Sequence, residues 1–200
     1  MTKVGLYGGA FDPVHNGHIA LAKAVVDYFN LNKLVFIPSK NPPHKKPHMA
    51  CGTHRFNMLN LVANSLGESF SVSDTELVSD GVSYTFNTVS KWIEDNPLDD
   101  VYFISGSDIF ASVESWHRWQ ELLNIVKFIV VKRAGFGFDK MFSYIKSDFS
   151  EMINNGRLLL FDGDIDDISS SFLRGQGRFE PCFVPEAVLE YIKTYKLYEG

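Results

Sequence analysis

The chain has 200 residues, 45% hydrophobic and 22% charged, which is ordinary globular usage and excludes a disordered or collagen-like polymer. Nineteen basic against twenty-four acidic side chains give a net charge of −5, so no overall basic field draws the chain to nucleic acid or an anionic membrane, and a polyanion must be met by a local pocket. No apolar run reaches the roughly 18 residues that span a bilayer. The opening Met1-Thr2-Lys3-Val4-Gly5-Leu6-Tyr7 lacks a signal-peptide profile, and Cys51 and Cys182 are too few to staple the fold, so a reduced, cytoplasmic protein is expected.

Val4-Gly5-Leu6-Tyr7 reads as a buried strand ending in Gly8-Gly9, followed by a helix whose apolar positions are Ile19, Ala22, Val26 and Phe29. Leu34-Val35-Phe36-Ile37, closed by Pro38, is a second strand, completing a βαβ crossover. Thr53 is expected to cap a helix carrying Phe56, Leu59, Ala63 and Leu66, and a further helix carries Phe86, Val89 and Ile93 before Asn96-Pro97. Val101-Tyr102-Phe103-Ile104, residues 126–131 and Leu158-Leu159-Leu160-Phe161 complete five expected strands. Pro185 opens a terminal helix in its first turn, with Val188, Tyr191, Ile192 and Tyr195 inward. Strands alternating with helices predict a doubly wound, Rossmann-like α/β domain with helices on both faces of a parallel sheet, spanning residues 1–200 as one unit. Its ligands belong beyond the carboxyl ends of the strands.

The loop after the first strand, Gly8-Gly9-Ala10-Phe11-Asp12-Pro13-Val14-His15-Asn16-Gly17-His18, combines glycines that admit close backbone approach with two histidines at a helix start. A helix N-terminus attracts anions, so the pair reads as imidazole donors to phosphate; the plain alternative is capping. Neither GxxxxGK[ST] nor GxGxxG occurs, so this loop stands in for the usual nucleotide-binding devices. A zinc site pairing His15 and His18 with His44 or His48 lacks an HExxH motif or cysteine cluster, and magnesium carried by phosphate oxygens is expected instead.

The loop over residues 38–48 gathers Lys40, Lys45, Lys46, His44 and His48 among prolines, a local cationic arm in an acidic chain. Gly106-Ser107-Asp108 follows a strand, and Asp108 is placed to hold a ribose hydroxyl or magnesium-bound water unless it simply caps a helix. Trp116 offers an indole for a flat heteroaromatic ring, whereas Trp92 and Trp119 are assigned to packing. Ser169, Ser170 and Ser171 open another helix whose amides and hydroxyls suit phosphate, with Arg174 one turn later. Asp162, Asp164, Asp166 and Asp167 make the approach to it acidic and are read as a solvated loop.

GGAFDPVHNGH resembles the GxFxPxHxGH loop of the nucleotidyltransferase α/β phosphodiesterase superfamily, and ISSSFLR resembles its ISSTxxR loop. With SKNPPHKKP, Val82-Ser83-Tyr84-Thr85, GSD followed by Trp116, Lys132-Arg133 and the terminal VPEAVLEYI, the chain is similar over nearly its whole length to the bacterial nicotinate-nucleotide adenylyltransferases. The resemblance implies transfer of AMP from ATP to nicotinic acid mononucleotide, giving deamido-NAD and pyrophosphate without a covalent enzyme intermediate. It implies His18 on the α-phosphate, with His15 and the backbone of Gly8, Gly9, Ala10 and Phe11 on the ATP phosphates. Ser169, Ser170 and Arg174 would hold ATP from the other side, and His44 and Lys45 would meet phosphate groups. Asp108 would serve the magnesium or ribose region, Trp116 the pyridine ring and Thr85 its carboxylate. Ser171 stands where threonine is common, and residues 111–115 lack the proline often found before the tryptophan. Nicotinamide mononucleotide or phosphopantetheine as acceptor, and a non-catalytic nucleotide sensor, stay open as alternatives.

Overall fold

A computed structural model describes residues 1–40, 50–163, 168–177 and 179–198. Six parallel strands, β1 (Thr2–Gly9), β2 (Lys33–Pro38), β3 (Phe70–Val72), β4 (Asp99–Gly106), β5 (Lys127–Val131) and β6 (Leu158–Phe161), form one sheet in the order β3-β2-β1-β4-β5-β6. The helices are α1 (Asn16–Phe29), α2 (Gly52–Leu66), α3 (Thr75–Val78), α4 (Thr85–Asp95), α5 (Ser107–Phe110), α6 (Trp119–Ile125), α7 (Phe138–Tyr144), α8 (Ser150–Asn154), α9 (Ser170–Gln176) and α10 (Glu186–Thr194). The doubly wound arrangement expected from the sequence is therefore present. The strand order reverses between β1 and β4, and a crevice opens at such a reversal beyond the strands' carboxyl ends.

Strand alternation divides the core in two. Tyr7, Leu34, Phe36, Tyr102, Ile104, Ile129, Val131 and Phe161 face α1, α2 and α10, while Val4, Leu6, Val35, Ile37, Val101, Phe103, Phe128 and Val130 face α4 to α8. Burial on both faces is why these strands read as continuous apolar runs. Gly5 is required by packing: a Cβ there would lie 2.8 Å from Leu31 and 2.9 Å from Ile104.

Four local expectations are corrected. β3 is a sixth strand, three half-buried residues on β2 without an apolar run to announce it. Cys51, not Thr53, is the N-cap of α2, and Thr53 lies within its first turn. Pro185 is the N-cap of α10 rather than its first helical residue, because its ψ of 145° is extended. Tyr195 is the C-cap of α10 and exposed, since the inward stripe there is Val188, Leu189 and Ile192. Trp92 and Trp119 pack against the α4-to-α8 core as expected, Trp92 with its Nε1–H donated to Asp99 Oδ2 at 3.2 Å.

Candidate active site

The loop between β1 and α1 leaves the sheet beside the strand-order reversal. Gly8 and Gly9 are needed here: a Cβ on Gly8 would stand 3.3 Å from the Phe103 ring, and one on Gly9 would stand 2.9 Å from that of Phe11. Phe11 has a φ of 48°, unusual for a bulky residue, and its buried ring packs edge-on against Tyr7 and Phe36 at centroid distances of 5.3 and 5.8 Å.

His15 is the N-cap of α1 and His18 its third residue, and they cap each other. The His18 amide donates to His15 Nδ1 at 3.4 Å, and the His15 amide donates to His18 Nδ1 at 3.3 Å. Their rings stack 3.6 Å apart. This is a capping box built from imidazoles in place of a hydroxyl and a carboxylate. With each Nδ1 accepting, the proton of a neutral ring sits on Nε2, so the cap fixes which nitrogen of each ring can donate. His15 is 1% exposed, and burial, aided by the positive charge of Arg133, lowers its pKa from 6.5 to about 3. It is thus a neutral donor at physiological pH. The capping and phosphate readings of this pair are compatible, because capping is what fixes the donor.

α9 closes on the same loop. Ser169 caps it by accepting the Phe172 amide at 3.1 Å, and the Ser170 hydroxyl donates to Pro13 O at 2.9 Å. Arg174 donates through Nη1 to Asp12 O and through Nη2 to Ser171 Oγ at 3.2 Å, with Nη1 also 3.8 Å from Asp12 Oδ2. Residues 157 to 162 positions apart in the chain therefore share one wall of the crevice.

Two buried groups that the sequence reading did not single out hold this wall. Arg55, 1% exposed, donates to three backbone carbonyls: Ala10 at 2.8 Å, Ser39 at 2.8 Å and Ala50 at 3.1 Å. It ties the loop after β1 to the loop after β2. Burial pushes its pKa down, while Asp12 pulls the other way. Asp12, 2% exposed, accepts the Ala50 amide at 3.2 Å and the Tyr198 hydroxyl at 2.7 Å. The available signal for Arg55 was its place on the inward stripe Arg55, Met58, Leu59, Val62, where a charge has no solvent to face. No local pattern marks Asp12 or Tyr198 as partners. Ser39 Oγ is a buried hydroxyl without a hydrogen-bond partner among the described residues, beside the Gly9 carbonyl that its own amide reaches at 2.9 Å. A native orphan of this kind at a loop edge suits a ligand.

Asp108 lies in the first turn of α5, half-exposed and 3.9 Å from Arg133 Nε. A Cβ on Gly106 would meet its carboxylate at 2.5 Å, so the glycine lets that side chain fold back over the end of β4. Ser107 anchors the Arg133 segment, accepting the Arg133 amide at 3.0 Å and donating to Phe136 O at 2.6 Å. Trp116 is half-buried with its ring edge-on to Phe103 and Phe110, and its Nε1–H is donated to Ser112 at 3.3 Å. Thr85 is the first residue of α4. The neighbouring Tyr84 ring stacks on His117 at 4.4 Å, which brings the Thr85 and Trp116 segments together. Below them Glu76, buried, accepts the Thr88 hydroxyl at 2.7 Å, and burial raises its pKa against the pull of Thr88, Ser83 and Arg55. Asp162 is paired with Lys132 at 2.7 Å. His44 and Lys45, the rest of the expected cationic arm beyond Lys40, and Asp164, Asp166 and Asp167 lie outside the described residues.

Among the described residues no three His, Cys, Asp or Glu side chains converge on a metal position, and no helix is long and apolar enough to cross a membrane. The arrangement brings together helix-end amides, two oriented imidazoles, of which His15 is held neutral, and the guanidinium of Arg133, a set that suits a polyanion.

Comparison with known proteins agrees. The model of the cytidylyltransferase-like family matches residues 6–176. A protein of Carboxydothermus hydrogenoformans named probable nicotinate-nucleotide adenylyltransferase is 37% identical, covering 98% of each chain, and one of the same name from Clostridium botulinum is 35% identical over 100% of both. In fold, the chain superposes on Plasmodium falciparum nicotinic acid mononucleotide adenylyltransferase complexed with NaAD with a TM-score of 0.79 at 22% identity, covering 100% and 98% of the two chains. The histidine-capped loop, the strand order and the full-length likeness converge: the chain belongs to the cytidylyltransferase-like family, on its nicotinate-nucleotide adenylyltransferase branch.

Proposed function

We infer that residues 1–200 act as one cytoplasmic nucleotidyltransferase domain that moves AMP from ATP to nicotinic acid mononucleotide, releasing deamido-NAD and pyrophosphate in NAD biosynthesis. The chemistry rests above all on the reciprocal His15–His18 cap, which fixes the orientation of both imidazoles at a helix N-terminus beside the strand-order reversal. The choice of acceptor rests on the full-length relatives.

The reaction needs no protein nucleophile. A phosphate oxygen of the mononucleotide forms a bond to the α-phosphorus of ATP as the α–β bridging bond breaks and pyrophosphate leaves with the electron pair, so catalysis is positioning and charge neutralisation. His18 donates Nε2–H to the α-phosphoryl oxygens, where charge develops. His15, with the backbone of Gly8, Gly9, Ala10 and Phe11, holds the remaining ATP phosphates. Ser169, Ser170 and Arg174 hold ATP from the α9 side, with Arg174 also keeping the loop in place through Asp12. Trp116 meets the pyridine ring, Thr85 its carboxylate, and His44 and Lys45 the mononucleotide phosphate.

Asp108 is the one carboxylate at the end of β4, half-exposed and only loosely paired with Arg133. That donor set fits magnesium carried by the phosphates, with Asp108 holding a metal-bound water or the ribose; bound there, magnesium supplies charge neutralisation of the triphosphate.

Pyrophosphate release from ATP and magnesium tests the reading, with nicotinic acid mononucleotide, nicotinamide mononucleotide and phosphopantetheine as parallel acceptors. Strong preference for the acid is expected. Preference for either other acceptor reassigns the substrate, and silence with all three points to a nucleotide sensor.

A further inference from the structure

Tyr7 is the last bulky residue of β1 before the glycines. Strand alternation turns its ring to the α1 side of the sheet, where it meets Phe11, Phe36 and His18 at centroid distances of 5.3, 5.9 and 6.2 Å. The residue is 7% exposed, so its ring is a core group, and a phenylalanine would pack as well.

The hydroxyl has no such account. It makes no hydrogen bond to any described residue, and unlike Ser39 Oγ it is not a sealed orphan, so the oxygen lies open at the edge of the buried ring. It lies towards the crevice: the His18 ring is 6.2 Å from its own, and the charges of Arg133, after β5, and Asp108, after β4, act on it. Burial, the largest influence on it, pushes the phenol's pKa up, so the group stays protonated at any working pH. A protonated phenol beside an imidazole in the first turn of a helix, within the field of a guanidinium, has an anionic oxygen as its natural partner.

We propose that the Tyr7 hydroxyl donates a hydrogen bond to a phosphoryl oxygen of the nucleotide bound on the His15–His18 cap. It rests on the reading above that a nucleotide triphosphate occupies that cap, and it adds a neutral donor to the two imidazoles. Because the hydroxyl bonds no described residue and is open to solvent in the free protein, its removal costs the free protein little, which separates this role from a structural one.

The test is Tyr7→Phe, which deletes one oxygen and keeps the ring. Binding of a non-hydrolysable ATP analogue with magnesium is measured by calorimetry on the full chain, alongside kcat/KM for ATP, adenosine binding and the thermal midpoint. The analogue's affinity and kcat/KM for ATP are expected to fall by about tenfold or more, the loss usual for a hydrogen bond to a charged group. Adenosine affinity and the thermal midpoint are expected to stay unchanged. Analogue affinity and kcat/KM within about twofold of the wild type overturn the proposal. An equal loss for adenosine overturns it too, because the contact would then be to the nucleoside, and so does a lowered midpoint, which would mean the hydroxyl is partnered in the free protein. A wild type that binds the analogue yet releases no pyrophosphate with any acceptor refutes the assigned reaction and leaves the Tyr7 measurement readable. A wild type that does not bind the analogue overturns both.

Discussion

Acid should destabilise this protein through one residue in particular. His15 has a folded pKa of about 3 against 6.5 for an unperturbed imidazole, so the folded state holds fewer protons than the unfolded chain between those values. Its contribution to stability is complete above pH 6.5 and is lost as pH falls towards 3. Working the linkage for that pair of values gives a loss of about 2 kcal/mol by pH 5, or about 4–8 °C in melting temperature for a chain of this size. His15→Asn is the matching variant, because asparagine caps helices well and does not titrate. Urea unfolding of both proteins at pH 8 and pH 5, repeated in a His18→Gln background because the two rings stack, isolates the effect, since titrating groups away from His15, Glu76 included, cancel in the difference. The wild type should lose about 2 kcal/mol more than the variant across that interval. Profiles that run parallel to within about 0.5 kcal/mol would refute the claim that His15 is held neutral by burial.

His18→Ala should lower kcat by about a hundredfold to a thousandfold while changing the dissociation constant of an ATP analogue much less, because the donor acts where charge develops; a change confined to KM would sink that role. Arg55→Met strands three carbonyls, those of Ser39 and Ala50 in buried bonds and that of Ala10 in a part-buried one, and removes one of the two positive charges near Asp12. A loss of about 3–5 kcal/mol in urea unfolding is expected, with Arg55→Lys recovering only part of it since an ammonium cannot span the same fork; a loss below about 1 kcal/mol would show that the clamp is dispensable.

Parallel strands buried on both faces declare themselves as apolar runs, which is why β1, β2, β4, β5 and β6 could be read in order from the sequence alone. β3 could not: Phe70, Ser71 and Val72 are an edge strand whose existence depends on β2 being there to pair with. The loops bearing His15, His18 and Ser169 were legible because glycines, histidines and serines at strand-to-helix junctions have few other uses. Their mutual arrangement was not. That both imidazoles would accept backbone amides, or that Arg174 would reach the Asp12 carbonyl, depends on side-chain directions set by packing. Arg55 shows the same limit from the other side. Its helical position predicts burial, but the three carbonyls that make burial tolerable come from segments that only the folded sheet brings together.

The hydrogen bond from Tyr198 to Asp12 joins residues 186 positions apart. During synthesis the histidine loop emerges before the strands that flank β1, which acquires its two neighbours only when β2 and then β4 follow. Asp12 still lacks its phenol until the chain through Tyr198 has left the ribosome tunnel. Every shorter nascent chain therefore carries the loop without this tie, and competence waits for the segment that holds Tyr198 rather than arriving with the part of the chain that holds the histidines.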